Sequence, residues 1–270
     1  MNRKYVYPIL IVLVTTGLYY LEGYVDKKTE DYPSIDMDNA PMTGDNTFGN
    51  MLPSSNGEIV THAYYTLSYR EEYEQAEWVA YELLEKHLTK DQHKRPYFVQ
   101  DRAVKTESAD WRNYKNSGYD KGHLCPAGDR KFTYDAYHET FLTSNISPQD
   151  GSFNGGIWNS LEQKTRYWAG RYDDVYVVTG GILKEGLKTI GDERVAVPEA
   201  FYKIVFDIRG NDYRAIAFII PNGKTSGSFY NYMVSIDDIE QKTGIDFFAA
   251  LPDTIENELE RNDDVKNWWK

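Results

Sequence analysis

The residues with the most chemical content fall within residues 95–166. The run Ser117-Gly118-Tyr119-Asp120-Lys121-Gly122-His123-Leu124 sets a histidine directly after a glycine and three positions after an acid. Glycine permits close backbone approach, and an acid at that spacing can orient the imidazole. A neutral imidazole is the commonest general base near neutral pH, worth ~10² to 10⁴ in rate when positioned. The same residues equally suit a histidine that is merely satisfied, or exposed, in a glycine turn. Downstream come Thr143-Ser144-Asn145-Ile146-Ser147-Pro148-Gln149, then Asn154-Gly155-Gly156-Ile157-Trp158-Asn159-Ser160-Leu161-Glu162, then Arg166.

After Ser152 the spacing of Phe153, Ile157, Leu161 and Trp168 predicts a helix, with Asn154, Trp158, Glu162 and Arg166 recurring every fourth position. On a regular helix Asn154 and Glu162 differ by about 80° in direction and ~12 Å in rise, so both can face one cleft without gripping one ion directly. An amide ligand with a carboxylate reaching through water suits Mg²⁺, which keeps most of its hydration shell. Zinc wants clustered His, Cys or carboxylate ligands, and none cluster here. The alternative is an amphipathic surface helix in which Glu162 and Arg166 form an i,i+4 pair worth ~0.3 to 0.5 kcal/mol. Spacing alone does not choose between these.

Asp-Lys-Gly-His, Asn-Ile-Ser-Pro-Gln and Asn-x-x-x-Trp-x-x-x-Glu, in this order and at these intervals, resemble the DNA/RNA non-specific endonuclease family, which includes Serratia-type nucleases and endonuclease G. The resemblance covers residues 60–260. It implies a ββα-metal (His-Me finger) site, with the histidine on the loop closing two strands and the metal-binding asparagine on the adjoining helix. It further implies His123 as general base, Asn154 as the ligand of Mg²⁺, with Mn²⁺ or another divalent cation as substitutes, and Glu162 as an acid reaching the metal through water. Asn145 becomes a supporting site residue and Arg166 a phosphate contact, while Arg95 and Asp101 match an upstream basic and acidic pair. DNA and RNA are the implied substrates. One position departs from the pattern: Lys121 stands where the family usually has arginine. Lysine keeps the charge but loses the planar fork that binds phosphate bidentately.

These residues need elements to position them. Alternation predicts a strand over residues 59–69, and further strands over 175–178, 201–208 and 213–220. Helical spacing of Ala76, Val79, Ala80, Leu83, Leu84 and His87 predicts a helix there, with others at 236–242 and 253–261. Strands mixed with helices, without a regular βαβ rhythm, give an α+β domain with a mixed or antiparallel sheet core and flanking helices. No phosphate loop or dinucleotide fingerprint occurs. The N-terminus carries Asn2-Arg3-Lys4 and an apolar run over residues 5–20, which reads as a signal peptide or membrane anchor over 1–25. Export to the periplasm, the exterior or an outward-facing membrane attachment is therefore expected. Residues 26–57 read as a disordered linker and 58–270 as the endonuclease domain. Cys125 is the single cysteine, which excludes an intrachain disulfide and reads as a small buried residue. His62, His87, His93 and His138 read as structural or solvated, and Tyr64, Tyr65, Trp111 and Tyr114 as sheet core rather than base-stacking platforms.

The chain of 270 residues has 42 acids and 30 bases, a net charge of −12 that by itself argues against nucleic acid. That average hides a segment, residues 86–131, with eleven bases against six acids, whereas residues 237–264 hold ten acids against two bases. A locally positive segment around His123 can meet a phosphate backbone while the whole chain stays acidic, with binding that is weak, salt-sensitive and metal-dependent. Two other functions fit the same residues: a catalytically silent or weak nucleic-acid-binding module of the same fold, and a phosphodiesterase acting on small substrates. The sequence does not fix the oligomeric state.

Overall fold

The computed structural model describes residues 51–172, 174–209 and 212–261, together with Val14, Thr16 and Trp268. The apolar run of residues 5–20 thus lies, but for two positions, outside the described residues, as does most of the expected linker. Seven strands form one antiparallel sheet in the order β1-β2-β3-β6-β9-β10-β11. They are β1 Glu58–Thr61, β2 Thr66–Arg70, β3 Gln75–Leu84, β6 Asp174–Gly181, β9 Ala200–Arg209, β10 Asp212–Pro221 and β11 Met233–Val234. Two smaller ribbons pair β4 Asp120–His123 with β5 Ile146–Gln149, and β7 Thr189–Ile190 with β8 Val195–Ala196.

The strands of residues 175–178, 201–208 and 213–220 are found as β6, β9 and β10, each slightly longer than expected. The strand of 59–69 is a hairpin instead: the His62 N–H bonds the Tyr65 carbonyl at 2.9 Å and divides it into β1 and β2. The helix expected from Ala76 to His87 is mostly β3, an interior strand between β2 and β6. The error has a clear physical origin. β3 is buried on both faces, Val79, Tyr81 and Leu83 in one core and Trp78 and Ala80 in the other, so apolar residues fall at helical spacings by default. The helices α3 Ile236–Thr243 and α4 Asp253–Glu260 match their expected spans within a residue or so.

The two faces of the sheet carry different partners. On one face lie the β4–β5 ribbon and α2 Asn159–Tyr172, whose buried Leu161, Thr165, Trp168 and Ala169 follow the i, i+4, i+7, i+8 stripe of an amphipathic helix. On the other face lie α3 and α4, through Ile236, Ile239 and Leu259. The short α1 Tyr134–Glu139 stands between the ribbon strands in sequence. Residues 51–57, expected to belong to the linker, are fastened to the second face. Met51 and Leu52 pack on that core, the Trp78 indole N–H donates to the Ser54 carbonyl at 3.0 Å, and the Asn56 N–H donates to Glu77 Oε1 at 2.7 Å.

The strand geometry separates two neighbours that a helix would keep on one side. Leu83 is fully buried and Leu84 half-buried on the opposite face. Leu83→Ala should cost about 2–5 kcal/mol in urea unfolding, and Leu84→Ala markedly less. Equal costs would contradict the strand.

Candidate active site

The site is built on two four-residue strands. β4 and β5 pair antiparallel with His123 opposite Ile146, Gly122 opposite Ser147 and Asp120 opposite Gln149. Gly122 is required by close approach, since a Cβ there would lie 2.1 Å from the buried Gln149 carboxamide. Asn145, just before β5, is wholly buried and bonded at every polar position of its amide. The Cys125 N–H donates to its Oδ1 at 2.8 Å, and its Nδ2 donates to the carbonyls of Cys125 at 3.0 Å and Thr140 at 2.9 Å. The expected supporting residue is therefore a clamp that holds the loop after His123, and it has no free atom for a substrate.

His123 ends β4 in an aromatic slot. Its ring lies 5.6 Å from Phe98 and 5.0 Å, edge-on, from Phe141. The residue is half-buried, while its Nε2 is covered and takes no hydrogen bond. Burial, and then the Arg95 charge, push the imidazole down to about 3, so it is neutral at physiological pH. The Arg95 guanidinium carbon sits 5.9 Å from the Phe98 ring and 5.5 Å from the Phe141 ring. Lys121 Nζ lies 5.4 Å from the Phe98 ring and 6.0 Å from that of Tyr114. Burial and the nearby Arg95 hold the Lys121 ammonium below its ordinary value, against the pull of Asp120. Two cations and a neutral base thus share one aromatic-walled pocket.

Asp120 opens β4, and its Oδ2 accepts from Asn154 Nδ2 at 3.0 Å. With its NH₂ group held there, Asn154 keeps its amide oxygen for another partner. The loop is fixed by Asp150, whose Oδ1 accepts from the Ser152 N–H, and by Asn222, whose Oδ1 accepts from the Asp150 N–H at 2.8 Å. Between Asn154 and Glu162 the chain is not a regular helix. Phe153–Trp158 forms a wide π-helical turn broken at Gly156 (φ −104°, ψ −108°), and α2 begins only at Asn159. The ideal separation of about 80° and ~12 Å therefore does not apply, because adjacent glycines let the helix start late.

Glu162 faces a second, buried group of charges. Burial raises its carboxyl to about 7, opposed by Lys203, reinforced by Asp129 and opposed again by Arg166. It accepts no hydrogen bond among the described residues. Arg166 Nη1 donates to Asp129 Oδ1 at 2.6 Å, and the Tyr81 hydroxyl donates to Asp129 Oδ2 at 3.0 Å. One donor of Arg166 is thus spent on a buried acid. Lys203 was missed in the sequence: it lies wholly inside, on β9, its Nζ 4.8 Å from the Trp158 ring and without a hydrogen bond. The available signal was a lysine on an otherwise apolar strand, FYKIVF.

Asp101 is not paired with Arg95. It lies buried at 2.8 Å from His62 Nε2 and accepts from the Ser144 hydroxyl, so the two members of the expected upstream pair serve different places. Cys125 is buried with its thiol pushed up to about 12, chiefly by burial, which removes it as a nucleophile. Of the aromatic residues, Tyr65 and Tyr114 are core, whereas Tyr64 and Trp111 are half-buried.

The donors around Asn154 fit a hard divalent cation. The free amide oxygen of Asn154 and the exposed Asp120 carboxylate beside it are oxygen ligands, as is the unbonded carboxylate of Glu162 on α2, without the His or Cys that zinc prefers.

A family model for DNA/RNA non-specific endonuclease matches residues 43–254. The chain belongs to the DNA/RNA non-specific endonuclease family. Within this family the chain is 34% identical over 217 residues to the zebrafish (Danio rerio) "Nuclease EXOG, mitochondrial", a match covering 74% of this chain and 63% of that protein's length. It is 30% identical to "Endonuclease G, mitochondrial" of Caenorhabditis elegans, covering 74% of this chain and 75% of that one, and 30% identical to "Nuclease" of Nostoc sp., covering 93% and 94%. The chain thus spans just under two thirds of the EXOG relative but nearly all of the Nostoc protein. A solved structure described as the EndoG/EndoGI complex, on the mechanism of EndoG inhibition, matches with a TM-score of 0.67 and 28% identity over 73% of this chain and 87% of that one. The fold is the α+β, ββα-metal fold of that neighbour, with β4, β5 and the Phe153–Tyr172 segment as the finger.

Two outcomes follow for this endonuclease-family chain. Asn145→Ala removes three buried hydrogen bonds and leaves Cys125 and Thr140 backbone groups unpaired, which should cost about 2–4 kcal/mol in chemical denaturation. A cationic neighbour disfavours the imidazolium, so Arg95→Gln should raise the His123 pKa when its ring signals are followed by NMR. No upward movement would remove Arg95 from the pocket.

Proposed function

We propose that this chain is a Mg²⁺-dependent, sugar-non-specific endonuclease that hydrolyses phosphodiester bonds of DNA and RNA. The observation that carries the reading is the covered, neutral His123 flanked by Arg95 and Lys121, beside an Asn154 whose amide oxygen is left free by Asp120. Family membership supports a nuclease. The pocket supports hydrolysis rather than binding alone, since a silent module has no need of an unprotonated base between two cations.

His123 takes the proton from an attacking water, for which its neutral form is ready. Arg95 and Lys121 face the phosphate and oppose the negative charge that grows on its non-bridging oxygens. Lys121 does this as a point charge, not a bidentate fork. Asn154, oriented by Asp120, would hold the cation, with Glu162 reaching it through water. When bound, the cation supplies Lewis-acid neutralisation of the phosphate and leaving oxygens. Because the nucleophile is external water, the ribose 2′-hydroxyl is not needed, and both nucleic acids qualify. The N-terminal pattern supports export, with residues 5–20 as a membrane attachment or cleaved signal.

Incubation of the purified chain with supercoiled plasmid and with RNA tests the reading. Both should be cut with Mg²⁺ present and neither with EDTA, and His123→Ala should lose at least ~10²-fold in rate with an unchanged far-UV spectrum. No cleavage by the wild type, or equal cleavage by His123→Ala, would overturn it.

A further inference from the structure

The acid-rich C-terminal segment makes a second constellation, on the sheet face opposite the finger. Asp237 and Glu240 lie on α3, Asp246 follows that helix, and Glu256 and Glu260 lie on α4. Carboxylate oxygens of Asp237, Glu240 and Glu260 are within 4.8 Å of one another, and so are those of Asp246, Glu256 and Glu260. Glu260 belongs to both groups. It is only 8% exposed, and its Oε1 is shielded and takes no hydrogen bond, although its side chain points among four other acids. Among the described residues no Lys, Arg or His forms an ion pair with any of the five. The nearest base in sequence, Arg261, donates to Asn257 Oδ1 instead.

A buried carboxylate among like charges is costly unless it is protonated or shares a cation. The geometry favours the cation. Two groups of carboxylates meet at Glu260, and calcium takes six to eight oxygen ligands, whereas magnesium keeps most of its water and is usually held by one or two carboxylates. The partly exposed rim of Asp237 and Asp246 leaves room for the waters that fill the remaining calcium positions. Asp246 is firmly placed, its backbone exchanging hydrogen bonds with Ser54, N–H to Oγ at 2.7 Å and carbonyl from N–H at 2.8 Å.

We propose that Asp237, Glu240, Asp246, Glu256 and Glu260 form a calcium site, separate from the finger, that fastens α4 to α3. Calcium is the ligand because every donor is a carboxylate oxygen and two groups of them meet at Glu260. Its role is structural, drawing the C-terminal helix onto the second core through Leu259.

The test is a calcium titration of the EDTA-stripped full chain, followed by thermal unfolding and calorimetry, with Asn154→Ala run in parallel to remove the cation ligand of the finger. Calcium should raise Tm by about 5 °C at saturation in both proteins. Mg²⁺ at the same concentration should give less than half that rise in Asn154→Ala. Glu260→Gln and, separately, the exposed Asp246→Asn should each weaken calcium affinity at least tenfold while folding normally in EDTA. If Glu260→Gln fails to fold, Asp246→Asn carries the comparison alone. No calcium-dependent rise in the wild type would overturn the proposal. So would a rise that Asn154→Ala abolishes, or one that both carboxylate variants retain. None of these readouts depends on cleavage, so the site stands or falls apart from the nuclease reading.

Discussion

Two strands of four residues are too short to hold a reactive loop by their own ladder, since an isolated two-stranded hairpin is marginal in water. What holds β4 against β5 at the His123 end is the amide of Asn145. Its oxygen takes the Cys125 N–H and its nitrogen serves two carbonyls, so the chain leaving His123 is bound to the chain entering β5. All three bonds are buried, where an unmade partner is expensive, and this makes the geometry stiff rather than merely stable. The position of the imidazole, the aromatic slot around it and the start of the Asp120–Asn154 bond all depend on that clamp.

Beneath the finger is a charge cluster that hydrophobic packing alone would not choose. Asp129, Glu162, Arg166 and Lys203 lie between α2 and β9, and the Lys203 ammonium has an aromatic face for company but no hydrogen bond. Buried ion groups of this kind seldom add net stability against apolar residues of equal volume. Burial holds the Glu162 carboxyl up to about 7 against the pull of Lys203, with Asp129 adding to the rise and Arg166 opposing it.

Much of this was legible in the sequence, and the parts that were not have physical causes. The motifs holding Asp120, His123, Asn154 and Glu162 were legible through their resemblance to the family, because short motifs survive without tertiary context, and the structure brings Asp120 and Asn154 into contact. β9 and β10 were legible because their apolar runs are bounded by Pro, Asn and Gly. β3 was misread, since a strand buried on both faces carries no alternation and imitates a helix. Asn145 was assigned to the site when it holds the site, because a sequence shows the amide but not how its three bonds are spent. Arg166 and Lys203 met the same limit: whether a cation faces phosphate or a buried acid depends on which strand passes beneath it.

Phe201 and Lys203 on β9, together with Asn222 just beyond β10, have a consequence for the order in which the protein is made. All the motif residues, from Arg95 to Arg166, leave the ribosome before these three do. Yet Phe153 stacks on Phe201 at 5.3 Å, Trp158 lies tilted against it at 5.9 Å, and the loop that carries Asn154 hangs from Asn222. A nascent chain that has completed its motifs still lacks the bed on which they lie. The reactive arrangement is therefore a property of the finished sheet, and a chain arrested before residue 200 carries the letters of the site without its shape.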